Sequence, residues 1–266
     1  MPLTTIDDEE TAVPIVTGAE PYRHDGGKAG VLLCHGLTGS PASLRPWAEY
    51  LAAAGLTVDV PRLPGHGTTW QELNATSWQD WYAEAQRALL GLAERCEHVV
   101  LGGLSVGACL ALRLAEVHGS AINGLVLVNP AVASKDPRRF ALPLLRFVVP
   151  SLAGVANDIA KPGQDEVGYD RSPLKAFYSM TRLWRLVIAD LPRVTQPLLL
   201  YRSANDHVID PTGIPIIRSR VSSSDVTLVV LPDSYHVATL DYDAETIFAG
   251  SLDFVRRLVP ATRDGG

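Results

Sequence analysis

The sequence predicts an α/β fold with a mostly parallel central sheet flanked by helices. Short runs that are apolar throughout recur along the chain, and such runs are typical of strands buried on both faces of a parallel sheet. Segments with apolar residues at helical spacing separate these runs, as expected of helices that cover such a sheet. The 266 residues, of which 47% are hydrophobic and 20% charged, suit one large domain with a sizeable core.

The elements alternate in chain order after a loose tail predicted for residues 1–12 and an edge strand or hairpin within 13–23. The predicted strands cover residues 29–34, 56–61, 99–104, 122–128, 197–201 and 226–231. The predicted helices cover 43–54, a segment that starts at 77, 108–117, 214–221 and 244–258. Leu44, Trp47 and Leu51 give the first helix its apolar stripe, and Gly55 ends it. Ser77 followed by Asp80 is a start similar to a capping box.

One segment breaks this alternation. More than 60 residues separate the strand that ends near Asn129 from the strand that starts near Pro197, about twice what a plain crossover needs. The segment leaves the carboxyl end of the sheet, where sites form in open α/β folds. We therefore expect a single domain over residues 1–266 with a small cap insertion at about 133–194. The alternative is a crossover helix with a decorated loop remote from the site.

Composition excludes several classes of function. The net charge is −6 and no run rich in Lys or Arg occurs, so nucleic acid is not an expected partner. No stretch reaches the roughly 18 apolar residues of a membrane span, and the acidic first ten residues do not resemble a signal peptide. Three cysteines with no metal-site spacing predict buried free thiols in a reducing, cytoplasmic compartment. No metal or organic cofactor is expected, and the oligomeric state stays open.

The segment from Gly103 to Gly107 reads G-x-S-x-G between a buried strand and a helix, the pattern of a nucleophile elbow. Ser105 is expected at the tip of a strained turn, with glycines on either side because the chain passes too close for a Cβ. The N–H of Val106 then points towards an oxyanion formed on Ser105. An ordinary Gly-Ser turn is the alternative, and the apolar strand and helix on either side favour the nucleophile.

A serine nucleophile needs a histidine base and an orienting carboxylate, which follow it in this chain order in folds with such an elbow. Four of the seven histidines precede Ser105, and His118 lies too far along the following helix, so His207 and His236 remain. His236 follows the last strand and is the expected base. Asp206 follows the preceding strand and is the expected acid. His207 is expected to be solvated.

Two other carboxylates, Asp210 and Asp233, lie on the same loops as Asp206 and His236. Asp210, before Pro211, is a better candidate for the N-cap of the next helix, and Asp233 lies on the same loop as His236. The second oxyanion donor is expected from the loop after the strand 29–34, through the N–H of Leu37. His35 in that loop is expected to be structural.

These motifs together resemble the α/β-hydrolase superfamily over residues 28–259, and within it the small bacterial carboxylesterases and monoacylglycerol lipases. The resemblance rests on the motifs CHGLTG at 34–39, LPGHG at 63–67, WQDW at 78–81, GLSVG at 103–107 and HVATLD at 236–241. It implies an ester hydrolase with the triad Ser105, Asp206 and His236 and with Leu37 and Val106 as oxyanion donors. His66 matches a residue that is structural in the family. The cap matches least, so acyl length and alcohol preference are not implied.

The expected function is hydrolysis of a small-molecule ester of a lipophilic acyl chain, either a carboxylester or a monoacylglycerol, through an acyl-enzyme on Ser105. Such a substrate is compatible with transient contact with lipid aggregates. A thioesterase, an acyltransferase or a hydrolase of carbon–carbon bonds would use the same residues. A dehalogenase or epoxide hydrolase is disfavoured, since those relatives carry Asp in place of Ser105. A binding protein without catalysis would be expected to have lost one of the three residues.

Overall fold

The computed structural model describes residues 13–259, and the tail predicted for residues 1–12 lies outside them. The strands are β1 (Tyr22–His24), β2 (Ala29–Cys34), β3 (Thr57–Val60), β4 (His98–Leu104), β5 (Gly124–Val128), β6 (Ser151–Ala153), β7 (Arg171–Pro173), β8 (Leu198–Ser203) and β9 (Val226–Leu231). The helices are α1 (Arg45–Ala53), α2 (Trp70–Ala75), α3 (Trp78–Ala93), α4 (Val106–His118), α5 (Leu142–Leu145), α6 (Leu174–Asp190), α7 (Gly213–Arg220) and α8 (Ala244–Leu258).

Seven strands form the central sheet in the order β1-β3-β2-β4-β5-β8-β9. All neighbouring pairs are parallel except β1 with β3, which is antiparallel at the edge. The parallel strands in the middle of the sheet, β2, β4, β5 and β8, run in the same direction. Their carboxyl ends therefore meet at one edge of the sheet. The predicted mostly parallel sheet is confirmed.

The core lies on both faces of this sheet, which explains why the central strands β2, β4 and β5 are almost entirely apolar. Leu32, Leu101 and Leu125 point to one face and pack in a single cluster with apolar residues of α3, α4 and α6. The adjacent residues of the same strands point to the opposite face and pack against α1 and α8. Among the described residues, no helix combines the length and the apolar character needed to cross a membrane.

Two predicted elements differ in detail from the observed ones. The first helix begins with a 3-10 turn over Pro41–Leu44, because the Ser40 hydroxyl accepts from the Ala42 N–H and ends the preceding loop there. Within the segment 13–23, only Tyr22 and Arg23 belong to a strand, and they begin β1. The capping box of α3 is present, with the N–H and hydroxyl of Ser77 donating to the Asp80 carboxylate.

The long segment between β5 and β8 has two parts. Its second part is α6, whose buried residues join the core beneath the sheet as those of an ordinary crossover helix do. Its first part contains α5 and the antiparallel pair β6–β7, which do not join the central sheet. Several side chains of this first part line the same cavity as Ser105, at the carboxyl edge of the sheet. The division into one domain with a cap over about 133–194 stays a prediction.

Candidate active site

Ser105 lies in the turn between β4 and α4. Its φ of +56° and ψ of −115° belong to a region that residues other than glycine rarely adopt, so the backbone is strained. Hydrogen bonds hold this strained residue on both sides. The Ser105 N–H donates to the Val128 carbonyl at 3.0 Å, and the Ser105 carbonyl accepts from the Ala131 N–H at 3.1 Å. The residue opens into a cavity of about 510 Å³, a volume typical of small-molecule sites.

The glycines on either side of Ser105 allow β4, α4 and the end of β2 to pack closely. A Cβ on Gly107 would lie 1.8 Å from the carbonyl oxygen of Cys34, and a Cβ on Gly103 would lie 2.4 Å from the carbonyl carbon of Gly107. Both distances are far below any van der Waals contact. The requirement for glycine at these two positions is therefore steric, as the motif predicts.

His236 and Asp206 come together on neighbouring loops beyond β9 and β8. The Nδ1 of His236 lies 2.7 Å from Oδ2 of Asp206, and both side chains are less than a tenth exposed. Burial by itself would raise the pKa of Asp206, but the hydrogen bond with His236 and the N–H groups of Ile209 and Val208 lower it below its usual value. The carboxylate is therefore ionised and can orient the His236 ring. His236 and Ser105 line the same cavity.

Leu37 and Val106 lie beside Ser105 with free backbone donors. Neither N–H donates a hydrogen bond to any group among residues 13–259. The loop that carries Leu37 passes close to the serine, since a Cβ built on Gly36 would lie 3.6 Å from the Ser105 Cβ. Two unpaired N–H groups on the wall of one cavity are suited to binding a developing oxyanion.

His35 and His66 are buried beneath this loop and hold its backbone. The Leu63 N–H donates to Nε2 of His35, whose Nδ1–H donates to the Gly36 carbonyl at 3.0 Å. Burial lowers the pKa of His35 well below its usual value and that of His66 to about 4. Both rings are therefore neutral near pH 7. Nε2 of His66 lies 2.6 Å from the Leu37 carbonyl oxygen and Nδ1 lies 3.0 Å from that of Pro64, so the single ring N–H donates to one of these two carbonyls. The two histidines hold the backbone of this loop through these contacts.

Two further carboxylates near the site are accounted for by other contacts. Asp210 accepts hydrogen bonds from the N–H groups of Thr212 and Lys135, and Asp233 is exposed. Neither is hydrogen-bonded to His236 within the described residues. The expectation that Asp210 caps α7 is wrong, because α7 begins at Gly213 and Thr212 occupies the N-cap position. Of Asp206, Asp210 and Asp233, only Asp206 is hydrogen-bonded to the His236 ring.

Asp158, which the sequence reasoning missed, joins the loops of the histidine and the acid. Its Oδ2 accepts from the N–H of His236 at 3.0 Å and from the N–H of His207 at 3.2 Å. Its Oδ1 lies 2.8 Å from Nδ1 of His207. His207 was expected to be solvated, and its ring is indeed exposed, but it is paired with a buried carboxylate. No motif marks Asp158, which belongs to the poorly patterned segment before α6.

Asn129 supports the same histidine from the end of β5 and was likewise missed. Its φ is +43°, which asparagine tolerates better than most residues. The side-chain amide donates to the His236 carbonyl at 2.8 Å and to the Ser203 hydroxyl at 2.9 Å, while its oxygen accepts from the Ser203 N–H. Asn129 therefore connects the ends of β5 and β8 to the loop that carries His236.

Glu166 places a buried carboxyl group on the wall of the cavity. Its Oε1 accepts from the Asn157 N–H at 3.0 Å, and its Oε2 would lie 2.8 Å from a Cβ built on Gly39, in the loop that carries Leu37. Burial raises the pKa of Glu166 above its usual value. The rest of the cavity wall contributed by the long segment is largely apolar and includes Leu145, Leu152, Val155, Leu174 and Phe177. The cavity thus combines an apolar stretch of wall with several polar side chains, among them Glu166 beside the loop that carries Leu37.

Replacing Asp206 by asparagine is expected to lower kcat by about 10³ to 10⁴. The amide cannot stabilise a charged imidazolium, and its NH₂ group can donate to Nδ1 of His236. That contact would place the ring proton on Nε2, which then could not accept a proton from Ser105. The measurement is the kcat of Asp206→Asn with 4-nitrophenyl butyrate.

Asp233→Asn is the matched control, because Asp233 is three residues from His236 but exposed. Its kcat should stay within about twofold of the wild-type value. If Asp206→Asn kept more than a tenth of the activity while Asp233→Asn lost it, the acid would have been assigned to the wrong loop.

Comparison with known proteins gives concordant matches. The family model described as "Serine aminopeptidase, S33" matches residues 26–243. A thermostable monoacylglycerol lipase of Bacillus sp. (strain H-257) is 39% identical over 246 residues, which cover 91% of this chain and 96% of that protein. A carboxylesterase of Bacillus subtilis (strain 168) is 25% identical over 91% of this chain and 98% of its own. A solved structure from work on the metagenome-derived lipolytic enzymes LipS and LipT has a TM-score of 0.89 and 38% identity, with 92% of this chain and 100% of that chain covered.

Proposed function

Because the chain belongs to the S33 serine aminopeptidase family of α/β-hydrolases, we propose that it is a carboxylic ester hydrolase that cleaves esters of lipophilic acyl chains. The observation that carries this proposal is the cavity into which Ser105 and His236 both open, with apolar side chains over much of its wall. The relatives named as monoacylglycerol lipase and carboxylesterase support the same class of reaction. A monoacylglycerol is the substrate we favour.

The reaction proceeds through an acyl-enzyme. Ser105 Oγ attacks the ester carbonyl carbon while His236 takes the hydroxyl proton at Nε2, and Asp206 stabilises the resulting imidazolium through Nδ1. The N–H groups of Leu37 and Val106 bind the oxyanion of the tetrahedral intermediate. His236 then gives its proton to the alkoxide of the leaving alcohol as the bond to the acyl carbon breaks. Water, deprotonated by the same histidine, releases the fatty acid and restores Ser105.

The residues 133–194 act as a cap in this proposal. Their apolar side chains, among them Leu152, Val155 and Phe177, form the wall that would contact the acyl chain. Burying a chain of methylenes against such a wall contributes about 0.8 kcal/mol for each CH₂ group, so affinity should rise with chain length until the cavity is filled. We place the enzyme in the cytoplasm, which agrees with three cysteines that are all buried and unpaired.

The test is hydrolysis of 4-nitrophenyl esters from acetyl to palmitoyl, with 1-monoacylglycerols of the same chain lengths alongside. Turnover that peaks at medium or long chains and extends to monoacylglycerols is the expected result. Turnover confined to short chains would make the protein a general carboxylesterase. If no ester were cleaved although a phosphonate probe labelled Ser105, a thioester, an amide or a carbon–carbon bond would replace the ester as the substrate.

Glu166 is expected to increase the selectivity of the enzyme for monoacylglycerols over simple esters. A carboxyl group on the cavity wall can accept hydrogen bonds from the free hydroxyls of the glycerol part of a monoacylglycerol, whereas the 4-nitrophenyl group of a simple ester has no hydroxyl to donate. Glu166→Gln keeps one oxygen that can accept from the Asn157 N–H but replaces the other by an NH₂ group that cannot accept, so kcat/KM for 1-monolauroylglycerol should fall about fivefold to tenfold. For 4-nitrophenyl laurate it should change less than about threefold.

The neighbouring exposed residue provides the control for Glu166. Asp165→Asn removes a negative charge one position away and should leave both substrates within about twofold of wild type. An equal loss on both substrates in Glu166→Gln would mean that this residue supports the fold of the loop, and monoacylglycerol selectivity would need another explanation.

A further inference from the structure

The outer side of the segment around α5 is an apolar ridge, which we define as Phe140, Leu144, Phe147 and Val148. These four side chains are between 70% and 78% exposed. Single exposed apolar residues are ordinary on protein surfaces, but four large ones within nine positions of the chain form a cluster that water solvates poorly. Such clusters mark surfaces that meet another apolar phase.

A basic cleft of about 690 Å³ lies beside this ridge, between α5, α6 and the start of α3. Its cationic residues are Arg146, Lys175, Arg182 and Arg185, and none of the described residues that line it is a carboxylate. None of the four forms an ion pair within residues 13–259. On a chain with a net charge of −6, four unpaired cations in one cleft are a concentration of positive charge.

Tyr178 lies on the wall of the cleft and experiences this positive charge. The guanidinium of Arg146 stacks over its ring, 3.8 Å from the centroid. The pKa of the Tyr178 phenol is below its usual value, because Arg182 donates a hydrogen bond to it and Arg146 and Arg185 lie nearby. A group that is anionic and hydrogen-bond accepting would be stabilised at the same place.

The helix α5 stands between the basic cleft and the cavity of Ser105. Leu142 and Leu145 line the cavity, whereas Arg146 and Phe147 line the cleft. A surface that touched the ridge and the cleft together would therefore lie against the wall of the substrate cavity. The ridge suits acyl chains, and the cleft suits the anionic headgroups that surround them.

We propose that the apolar ridge and the basic cleft form a docking surface for an anionic lipid surface, on which the ridge inserts among acyl chains and the cleft binds phosphate headgroups. This inference rests on the proposed function, since it explains how a substrate dispersed in lipid reaches Ser105. Each arginine or lysine held near an anionic membrane raises the affinity about fivefold, so the four cations of the cleft can decide which lipids are bound.

The experiment measures binding of the whole protein to vesicles by flotation, as the Ser105→Ala variant so that no lipid is consumed. The vesicles are pure phosphatidylcholine or phosphatidylcholine with 30% phosphatidylglycerol. We expect the anionic vesicles to bind at least tenfold more tightly, and 0.5 M NaCl to remove most of that difference. Equal binding to both kinds of vesicle, or to neither, would overturn the proposal.

Paired variants test whether vesicle binding depends on the basic cleft itself or only on the net charge of the protein. Arg182→Glu/Arg185→Glu should weaken binding to the anionic vesicles by at least about 30-fold, and Phe147→Ser/Val148→Ser should weaken it severalfold. Arg218→Glu/Arg220→Glu changes the net charge equally on two exposed arginines of α7 and should have a much smaller effect. If both arginine pairs had the same effect, the cleft would have no special role.

Further measurements distinguish this proposal from a failure of the proposed function and from a dimer interface. In an otherwise wild-type background, Arg182→Glu/Arg185→Glu should hydrolyse monomeric 4-nitrophenyl butyrate normally but lose activity on monoacylglycerol held in anionic vesicles. Vesicle binding without any ester hydrolysis would reject the proposed function and leave the docking surface standing. A wild-type dimer that Phe147→Ser/Val148→Ser dissociates, together with no vesicle binding, would show that the surface contacts a second copy of this chain.

Discussion

Replacing Ser105 by alanine is expected to lower kcat for ester hydrolysis by roughly 10⁴ to 10⁶ while the fold stays intact. The reaction loses its nucleophile, and neither His236 nor the oxyanion loop can supply another. The fold is expected to survive because the Ser105 hydroxyl makes no hydrogen bond within the described residues, so its removal leaves no buried partner unsatisfied. The backbone hydrogen bonds to Val128 and Ala131 do not involve the side chain.

The measurements are kcat with 4-nitrophenyl butyrate and the midpoint of thermal unfolding. Ser219→Ala, on the exposed side of α7, is the matched control and should keep full activity. Retention of a tenth of the activity in Ser105→Ala would remove this residue from the mechanism. The same variant should also lose labelling by a fluorophosphonate, which tests the nucleophile directly.

Replacing Gly107 by alanine is expected to destabilise the fold by at least about 3 kcal/mol and to abolish hydrolysis. The added Cβ would lie 1.8 Å from the carbonyl oxygen of Cys34 and 2.7 Å from that of His35. Both obstacles are backbone, so relief requires the start of α4 to move away from the end of β2. That movement would displace Ser105 and the Leu37 loop from each other. Urea unfolding at pH 7, monitored by tryptophan fluorescence, measures the loss.

Gly91→Ala provides a control of opposite sign. Gly91 lies inside α3, where an added Cβ meets nothing within 4 Å, so the same chemical change should stabilise the helix by about 0.5 to 1 kcal/mol. A Gly107→Ala protein with wild-type stability would show that α4 and β2 are not packed as closely as described.

Much of the architecture follows from patterns along the chain. The central strands β2, β4 and β5 are almost entirely apolar because adjacent residues such as Val100 and Leu101 face two different cores. The G-x-S-x-G segment marks the turn at Ser105 because only glycines fit around it. The order of the candidate residues singles out His236 and Asp206, which the structure places 2.7 Å apart. Each of these inferences uses residues that are close in sequence or fixed in order.

The sequence by itself therefore determined the fold class, the elbow at Ser105 and the candidate base and acid, because local spacing carries that information. Only the tertiary structure decided how Asp158 and Asn129 hold the His236 loop, since these hydrogen bonds join residues 78 and 107 positions apart. It also decided that α6 belongs to the core while the ridge and Arg182 face outward. Long-range contacts of this kind depend on how the elements pack. The residue pattern of one segment does not show which distant segment will pack against it.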